Sequence, residues 1–269
     1  MKPTNQDKTW QGGLKSFFTE RASLIKGQPS LEDLCYVSGR DSRLWLQQGM
    51  YDDLINNLIS ILRLSHNSHV LEVGCAAGFL SKGLAPSVGQ YTGVDLASSA
   101  IKVADRLKLK NAKFSVANGG NLPFPDNTFD ASFSYDVFTN FPSFEEGIPL
   151  IREMLRVTKP CCPVLIGSVP NLDKQSLYEE RVKQYSMYLE HEYGQVPAMN
   201  FSPPSFLNRI YGLIKPKSKI LPAIVCYYFC IEDFQKLGQT LCVNTEICNI
   251  HTANPYVDLR FNVIYSKPS

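Results

Sequence analysis

Apolar and polar residues alternate along the chain in two different rhythms. Some segments carry apolar residues three or four positions apart, which predicts helices with one buried face. Others are short, continuously apolar runs bounded by polar turns, which predicts buried strands. Helices are predicted at 44–64, 79–84, 98–107, 144–157 and 231–241, and strands at 70–73, 91–94, 112–116, 129–135, 164–169, 245–250 and 257–265.

The order of these elements predicts an α/β fold. The first five strands alternate with helices across short links, and such alternation produces a parallel sheet with helices on both faces. With the last two strands added, the prediction is a doubly wound, seven-stranded, mostly parallel sheet. Ligands of such sheets lie beyond the carboxyl ends of the strands, so we expect the chemistry in the loops that follow them.

Two regions interrupt this pattern. Residues 1–43 begin as a polar stretch broken by glycine and proline, and we predict a loosely held N-terminal arm before one domain over 44–269. Residues 171–228 separate the fifth strand from the sixth, and segments of that length are usually lids or substrate-binding insertions. The aromatic residues that suggest an apolar substrate cavity in this insertion are Phe206, Tyr211, Tyr227, Tyr228 and Phe229.

Composition narrows the class of protein. Hydrophobic residues make up 44% and charged residues 19%, with a net charge of +2, which favours a folded chain without a nucleic-acid partner. No signal segment and no run near the ~18 apolar residues of a membrane span is visible, so we expect a cytoplasmic protein. Eight cysteines without a Cys-x-x-Cys pair predict buried thiols and no metal site.

The strongest local motif is Val-Leu-Glu-Val-Gly-Cys-Ala-Ala-Gly at 70–78, where a strand meets a helix through a loop of small residues. Small residues let a ligand approach the backbone, and the helix N-terminus offers free amide donors. No Gly-Lys-Ser/Thr follows, and Ala76 and Phe79 break the Gly-x-Gly-x-x-Gly pattern, so neither a triphosphate loop nor a dinucleotide fingerprint is present. Taken alone, this motif is also consistent with a tight turn that binds no ligand.

Asp95 ends the second predicted strand, about 20 residues after the glycine loop, as the spacing of such nucleotide sites requires. A carboxylate there can accept two hydrogen bonds from a ribose diol. Ribose recognition without a phosphate cradle suggests a nucleoside whose substituent carries no phosphate.

The loop resembles the first motif of class I S-adenosylmethionine-dependent methyltransferases. Three further stretches resemble the same family in order and spacing: Asn-Leu-Pro-Phe-Pro-Asp-Asn-Thr-Phe-Asp at 121–130, Tyr-Asp-Val-Phe at 135–138 and Arg-Glu-Met-Leu-Arg-Val-Thr-Lys-Pro at 152–160. The second and last of the four are similar to the branch that includes ubiquinone- and menaquinone-biosynthesis methyltransferases. The resemblance covers about residues 50 to 170 and implies a Rossmann-like fold, S-adenosylmethionine as cofactor and methyl transfer as activity.

The resemblance also implies roles for individual residues. The methionine part of the cofactor is expected at Glu72 and the backbone of Gly74, Cys75, Ala76 and Gly78, the ribose at Asp95, and the adenine at Leu96, Asn118 and Gly119, with Tyr135 lining the gap towards the substrate. Two of these depart from the family pattern. Ala76 replaces a glycine, which is harmless only at a negative φ, and Asn118 replaces an acidic residue but still offers an oxygen acceptor.

The acceptor of the methyl group is less defined by the sequence. Oxygen, nitrogen and carbon nucleophiles of a small molecule all fit, and His191 in the insertion is the candidate base. The candidates to close over the cofactor precede the first core helix: Arg40, Arg43, Trp45 and Tyr51. For Trp45 and Tyr51 the alternative is that they simply cap the core. A macromolecular methyltransferase, a non-catalytic cofactor-binding partner and a nicotinamide-dependent dehydrogenase remain rivals, and the oligomeric state stays open.

Overall fold

A computed structural model describes residues 10–193 and 226–269 of the chain. Its seven strands form one sheet in the order β3-β2-β1-β4-β5-β7-β6. The strands are β1 (His69–Val73), β2 (Gln90–Asp95), β3 (Ala112–Val116), β4 (Ala131–Tyr135), β5 (Val164–Pro170), β6 (Asn244–Asn249) and β7 (Arg260–Ser266). All pairs are parallel except β5–β7 and β6–β7, so the predicted doubly wound, Rossmann-like and mostly parallel sheet is confirmed.

The helices lie on both faces of this sheet. They are α1 (Trp10–Leu24), α2 (Leu31–Val37), α3 (Ser42–Trp45), α4 (Met50–Ile61), α5 (Phe79–Leu84), α6 (Ser98–Asp105), α7 (Phe144–Val157), α8 (Gln175–Tyr193) and α9 (Ile231–Thr240). No helix within residues 10–193 and 226–269 combines the length and the apolar character that crossing a bilayer requires.

The two hydrophobic cores explain why the central strands are almost entirely apolar. On β1, Val70 belongs to the core beneath α4 and α5, whereas Leu71 and Val73 belong to the core beneath α7. Strands that are buried on both faces carry continuous rather than alternating apolar residues, which is the pattern that the sequence shows here. Because both faces of the sheet are buried, a ligand site is expected at the carboxyl ends of the strands.

The N-terminal segment differs from the predicted loose arm. Residues 10–45 form three helices, and Leu34, Cys35 and Val37 of α2 are completely buried. A capping box starts α2, because the Ser30 hydroxyl accepts from the Asp33 amide while the Asp33 carboxylate accepts from the Ser30 amide. That Ser-x-x-Asp pattern is the local signal that sequence reasoning missed.

The helix predicted over 44–64 is two helices. The chain leaves α3 at Leu46 and enters α4 only after Gly49, whose φ of +79° is a left-handed conformation that glycine adopts without strain. The predicted boundary between an arm and the domain at 43/44 therefore falls inside α3, and α1 to α3 pack on the same core as the sheet.

Candidate functional site

A cavity of about 1290 Å³ lies at the carboxyl ends of β1, β2 and β4. Helices α1 to α3 and α8 form other parts of its wall, as do the start of β7 and the residues before it. Pockets for one drug-sized ligand measure roughly 300–1,000 Å³, so this cavity has room for two small molecules side by side.

The turn after β1 is built from residues in left-handed conformations. Gly74 and Gly78 both have φ of +85°. The Gly74 amide donates to the carbonyl of Val94 at 2.8 Å, which ties the turn to the end of β2. Ala76 also has a positive φ, +45°, so the condition under which its replacement of a glycine is harmless is not met. The Asp95 carboxylate holds Ala76 in this conformation by accepting from its amide at 2.8 Å.

Asp95 lies at the cavity wall at the end of β2, with 9% of its surface exposed. One carboxylate oxygen accepts from the Ala76 amide and the other from the Ala97 amide, both at 2.8 Å. Burial raises the pKa of Asp95, and these backbone hydrogen bonds oppose that rise. Each oxygen keeps a second lone pair, so the carboxylate can hold its turn and still accept from a ligand diol.

Three predicted cofactor residues are placed behind the turn rather than on the cavity wall. Glu72 is buried, and one of its oxygens accepts from the Ser81 hydroxyl at 2.6 Å and from the Tyr91 hydroxyl at 2.5 Å. Burial raises its pKa. Cys75 is a buried thiol, and Gly78 lies against α6, where a Cβ would come within 2.8 Å of Leu107. In this structure the three support the turn.

The predicted adenine residues lie together on the wall. Leu96, Asn118 and Gly119 border the cavity beyond β2 and β3. The side-chain oxygen of Asn118 accepts from the Gly120 amide at 3.0 Å and so shapes the loop, while its amide nitrogen is a donor. The acceptor role that sequence analysis assigned to the Asn118 oxygen is therefore shared with its own turn.

Tyr135 ends β4 at the wall of the cavity and is buried. Its hydroxyl oxygen accepts from the side-chain amide of Asn254 at 2.9 Å, so the hydroxyl proton is left to donate. Burial raises the pKa of Tyr135, which keeps the phenol neutral. Asn254 also reaches the Ser168 hydroxyl at 3.3 Å, and sequence analysis had not assigned either residue to the site.

Asp136 follows Tyr135 and binds two arginines with different oxygens. Arg40 donates to one oxygen through Nε at 3.1 Å and Nη2 at 2.8 Å, and Arg260 donates to the other through Nη1 at 3.0 Å. Arg40 also packs over the rings of Trp45 and Phe79, each centroid 5.0 Å from its guanidinium carbon. Arg40 and Arg43 thus lie at the cavity as predicted, while Tyr51 donates to the Phe79 carbonyl and belongs to the core.

Buried polar atoms without a hydrogen-bond partner concentrate at this cavity. Within the described residues six side chains carry such an atom, and all of them except Ser134 line the cavity: Arg21, Ser38, Trp45, Asn140 and Arg260. Native proteins pair nearly all buried polar atoms, so this cluster of unpaired ones distinguishes the lining of the cavity from the rest of the described interior.

His191, the candidate base, lies on α8 with an exposed side chain and is not part of the cavity wall. Tyr178, Arg181, Val182 and Tyr185 are the residues of that helix that reach the cavity. Of the predicted aromatic substrate residues, Phe229 is buried in the core and Tyr227 packs against the same core. Tyr228 packs edge-on against Tyr178, and Phe206 and Tyr211 lie outside the described residues. Among residues 10–193 and 226–269 no cluster of side chains is suited to hold a metal ion.

Comparison with known proteins supports the resemblance found in the sequence. Residues 71–165 match the family described as a methyltransferase domain. A demethylmenaquinone methyltransferase of Listeria welshimeri is 28% identical over 160 residues, which cover 55% of this chain and 64% of that protein. A sterol 4-C-methyltransferase of Caenorhabditis elegans is 27% identical over 136 residues, covering 48% and 39% of the two chains. The chain therefore matches less than two thirds of the length of either relative.

A solved structure shares the fold. Magnesium protoporphyrin IX methyltransferase from Synechocystis, crystallised with S-adenosylhomocysteine, superposes with a TM-score of 0.52 at 15% identity, covering 96% of this chain and 98% of that one. At that identity the likeness concerns the arrangement of the sheet and its helices, in agreement with the strand order described above.

Proposed function

On the premise that residues 71–165 form a class I S-adenosylmethionine-dependent methyltransferase domain, we propose that this chain transfers a methyl group from S-adenosylmethionine to an oxygen, nitrogen or carbon nucleophile of a small molecule. The observation that carries the proposal is a single cavity that combines Asp95, placed to accept from a diol, with a cluster of unpartnered buried polar atoms.

The residues of the cavity fit the chemical parts of this cofactor. Asp95 is the acceptor for the ribose hydroxyls, and Leu96 offers an apolar surface beside it. Arg40 keeps Nη1 for an anion, because its Nε and Nη2 bind Asp136. The cofactor carries both a diol and a carboxylate, and Asp95, Leu96 and Arg40 all line this cavity.

S-adenosylmethionine supplies a methyl group that is already activated by its bond to a positively charged sulfur. The acceptor's lone pair forms the new bond to the methyl carbon as the carbon–sulfur bond breaks, and the electron pair of that bond stays on sulfur. The protein therefore contributes mainly by aligning the acceptor and excluding water. A base is needed only when the acceptor must lose a proton. We propose His191 as this base only for a conformation in which α8 brings its side chain to the cavity.

Tyr135 is the residue best placed to align the acceptor. It lies where β4 opens into the cavity, its hydroxyl oxygen is fixed by Asn254, and its proton is available to donate to an acceptor atom. A small-molecule acceptor is favoured by the names of the two relatives, which refer to a quinone precursor and a sterol. A cytoplasmic location and the absence of a nucleic-acid partner stay predictions from composition.

The test measures binding and turnover separately. Calorimetry is expected to show one S-adenosylhomocysteine site per chain, and transfer of label from methyl-labelled S-adenosylmethionine into a small-molecule extract of the source organism is expected to follow. Binding without any transfer supports the rival of a non-catalytic cofactor-binding protein. Binding of NAD with no binding of S-adenosylhomocysteine supports the dehydrogenase and contradicts the proposal.

A further inference from the structure

Two arginines share one carboxylate on the wall of the cavity, so this cluster of three side chains carries one uncompensated positive charge. Arg40 and Arg260 bind different oxygens of Asp136, so their guanidinium groups are neighbours. Arg43 is paired with Asp41 at 2.6 Å and adds no net charge. Arg181 reaches the cavity from α8 and donates to the Val257 carbonyl, which adds a third cation on the side of Arg260.

The two arginines differ in which edge of the guanidinium is occupied. The edge that carries Nε and Nη2 presents two parallel N–H groups and matches the two oxygens of a carboxylate. In Arg40 this edge is occupied, because both Nε and Nη2 donate to Asp136. In Arg260 it is Nη1 that binds Asp136, together with the carbonyl and hydroxyl of Ser168.

The paired edge of Arg260 is nearly unused. Its Nε is buried and has no hydrogen-bond partner among the described residues, and its Nη2 makes a single long contact of 3.4 Å with the Tyr178 hydroxyl. Arg260 is only 8% exposed, and its guanidinium carbon lies 3.9 Å from the ring centroid of Tyr256. A buried cation with an unused donor edge at a cavity wall is suited to a carboxylate, which supplies both acceptors at once.

A chain of hydrogen bonds connects Arg260 with Tyr135, the residue proposed to align the acceptor. Arg260 reaches the Ser168 hydroxyl, Asn254 donates to that same hydroxyl, and Asn254 also holds the hydroxyl of Tyr135. Arg40 binds the other oxygen of Asp136 and packs against Phe79 at the start of α5, directly after the glycine turn. Arg40 is thus in contact with the element that follows the proposed cofactor turn, whereas Arg260 is connected to Tyr135 through Ser168 and Asn254.

We propose that the methyl acceptor carries a carboxylate, or an anion of the same planar shape, which Arg260 binds through Nε and Nη2. This inference rests on the proposed methyl transfer and specifies its substrate class. The anion replaces the long Tyr178 contact at Nη2 and pairs Nε in the same step. Arg181 adds attraction from α8, and the bond of Asp136 to Nη1 fixes the orientation of the guanidinium.

The first test examines the charge of the product. Label is transferred from methyl-labelled S-adenosylmethionine into a small-molecule extract by the wild-type protein, and the labelled product is passed over an anion exchanger at neutral pH and again at acid pH. We expect retention at neutral pH and release at acid pH, as for a carboxylate. A labelled product that is not retained at neutral pH overturns the inference and leaves the proposed function standing.

The second test separates the acceptor's anion from the carboxylate of the cofactor. Arg260→Gln is expected to raise the apparent KM for the extract acceptor at least about tenfold, as loss of a charged hydrogen-bond pair does, with the Kd for S-adenosylhomocysteine within about twofold of wild type. Arg260→Lys keeps the charge without the paired edge and should recover part of the loss. Arg152→Gln removes one exposed arginine on α7 and serves as the charge-matched control.

The outcomes of these tests are distinct. An equal loss of S-adenosylhomocysteine affinity in Arg260→Gln means that Arg260 holds the cofactor, and the inference is then wrong. Should Arg260→Gln fail to fold, Arg260→Lys gives the same comparison of KM with Kd. Absence of any labelled product, although the wild-type protein binds S-adenosylhomocysteine, contradicts the proposed function itself.

Discussion

Asp95 combines a structural role with its proposed ligand role, since its two oxygens fix the amides of Ala76 and Ala97. Asp95→Asn keeps only one oxygen acceptor and turns an amide donor towards one of those backbone donors. We expect this substitution to weaken S-adenosylhomocysteine binding about tenfold or more. Isothermal titration calorimetry measures the effect directly.

The control for this substitution is Asp105→Asn, which removes the same charge from an exposed position on α6. Its affinity for S-adenosylhomocysteine should equal that of the wild-type protein. Equal affinity of Asp95→Asn and Asp105→Asn would mean that Asp95 does not contribute to the cofactor site.

Glu72 gives a prediction about pH. Burial raises the pKa of Glu72 above its ordinary value near 4.5. An acid whose pKa is raised by folding contributes stability below its ordinary pKa, and this contribution is lost as the pH rises through the folded value. Glutamine does not ionise, so the Glu72→Gln variant does not lose stability in this way. We expect the stability of the variant relative to wild type to increase as the pH rises above the ordinary pKa of a glutamate, measured by urea unfolding.

Glu153→Gln provides a control of opposite sign. The hydrogen bond from Arg156 lowers the pKa of Glu153, with burial opposing it, so Glu153 contributes stability above its ordinary pKa that is lost as the pH falls. The Glu153→Gln variant should therefore lose stability relative to wild type as the pH rises. If the stability difference from wild type changed with pH in the same direction for both variants, the environments assigned to Glu72 and Glu153 would be wrong.

At the scale of single residues, the sequence predicts which residues line the site where those residues belong to a recognisable motif. Asp95, Leu96, Asn118, Gly119 and Tyr135 were all predicted at the site, and the structure places them at one cavity. The conformation of Ala76 was not predictable from the motif, because its positive φ depends on a bond to Asp95 on another strand. The role of Glu72 depends likewise on Ser81 and Tyr91, which lie on separate elements.

At the scale of elements, the contact between β4 and β5 determines where Tyr135 lies. Gly167 on β5 faces Tyr135 in the strand register, and a Cβ at that position would come within 2.2 Å of the Tyr135 ring. We expect Gly167→Ala to destabilise the protein by about 1–3 kcal/mol and to lower kcat for methyl transfer, because the ring must move. Urea unfolding and steady-state kinetics measure the two effects.

Gly13→Ala is the matched glycine control. Gly13 lies within α1, and a Cβ there would meet no atom within 4 Å. Alanine should stabilise that helix by about 0.8–1 kcal/mol and leave kcat unchanged. A Gly167→Ala variant with wild-type kcat would show that the position of the Tyr135 ring does not matter for transfer.

Helices and strands were predicted correctly where a long segment repeats the spacing of its apolar residues. They were missed where the structure depends on one or two residues. Helix α7 was predicted with its observed bounds, because its buried residues recur at helical spacing and Pro160 follows its end. The N-terminal helices were missed, since α1 contains two glycines and α2 has only seven residues. Gly49 divides one predicted helix because its left-handed φ is not visible in the apolar pattern.

At the scale of the whole molecule, both tryptophans of the chain lie at the cavity. Trp10 on α1 packs edge-on against Phe141 at 5.2 Å, and Trp45 is 2% exposed with an unpartnered indole nitrogen. We expect S-adenosylhomocysteine to change the intrinsic tryptophan fluorescence with a midpoint equal to the calorimetric Kd. Trp10→Phe isolates the signal of Trp45, and Trp45→Phe isolates that of Trp10.

A fluorescence change in neither single-tryptophan variant would mean that the ligand does not occupy this cavity. A change at Trp10 is of particular interest, because it would report on α1. That helix belongs to the segment that the sequence suggested to be a loose arm, whereas the structure makes it part of the cavity wall.

The assembly of the site was beyond sequence reasoning for a geometric reason. Arg260 and Asp136 are separated by 124 positions, and Arg40 and Asp136 by 96. No local pattern connects residues at such distances, whereas the glycine loop and Asp95 belong to neighbouring strands of a recurring motif. The sequence therefore predicts the part of the cavity that the methyltransferase domain provides. It does not predict the part that contains Asn254 and Arg260.

The order of these two halves along the chain has a consequence for how specificity can change. Asp95, Leu96, Asn118 and Gly119, which are proposed to bind the cofactor, lie at or beyond the ends of β2 and β3, while Asn254 lies in the loop after β6 and Arg260 begins β7. A crossover after β5 would exchange Asn254 and Arg260 and keep Asp95, Tyr135 and Asp136 of the original chain. Chimeric chains joined after β5 would therefore show whether the C-terminal segment determines the proposed choice of methyl acceptor.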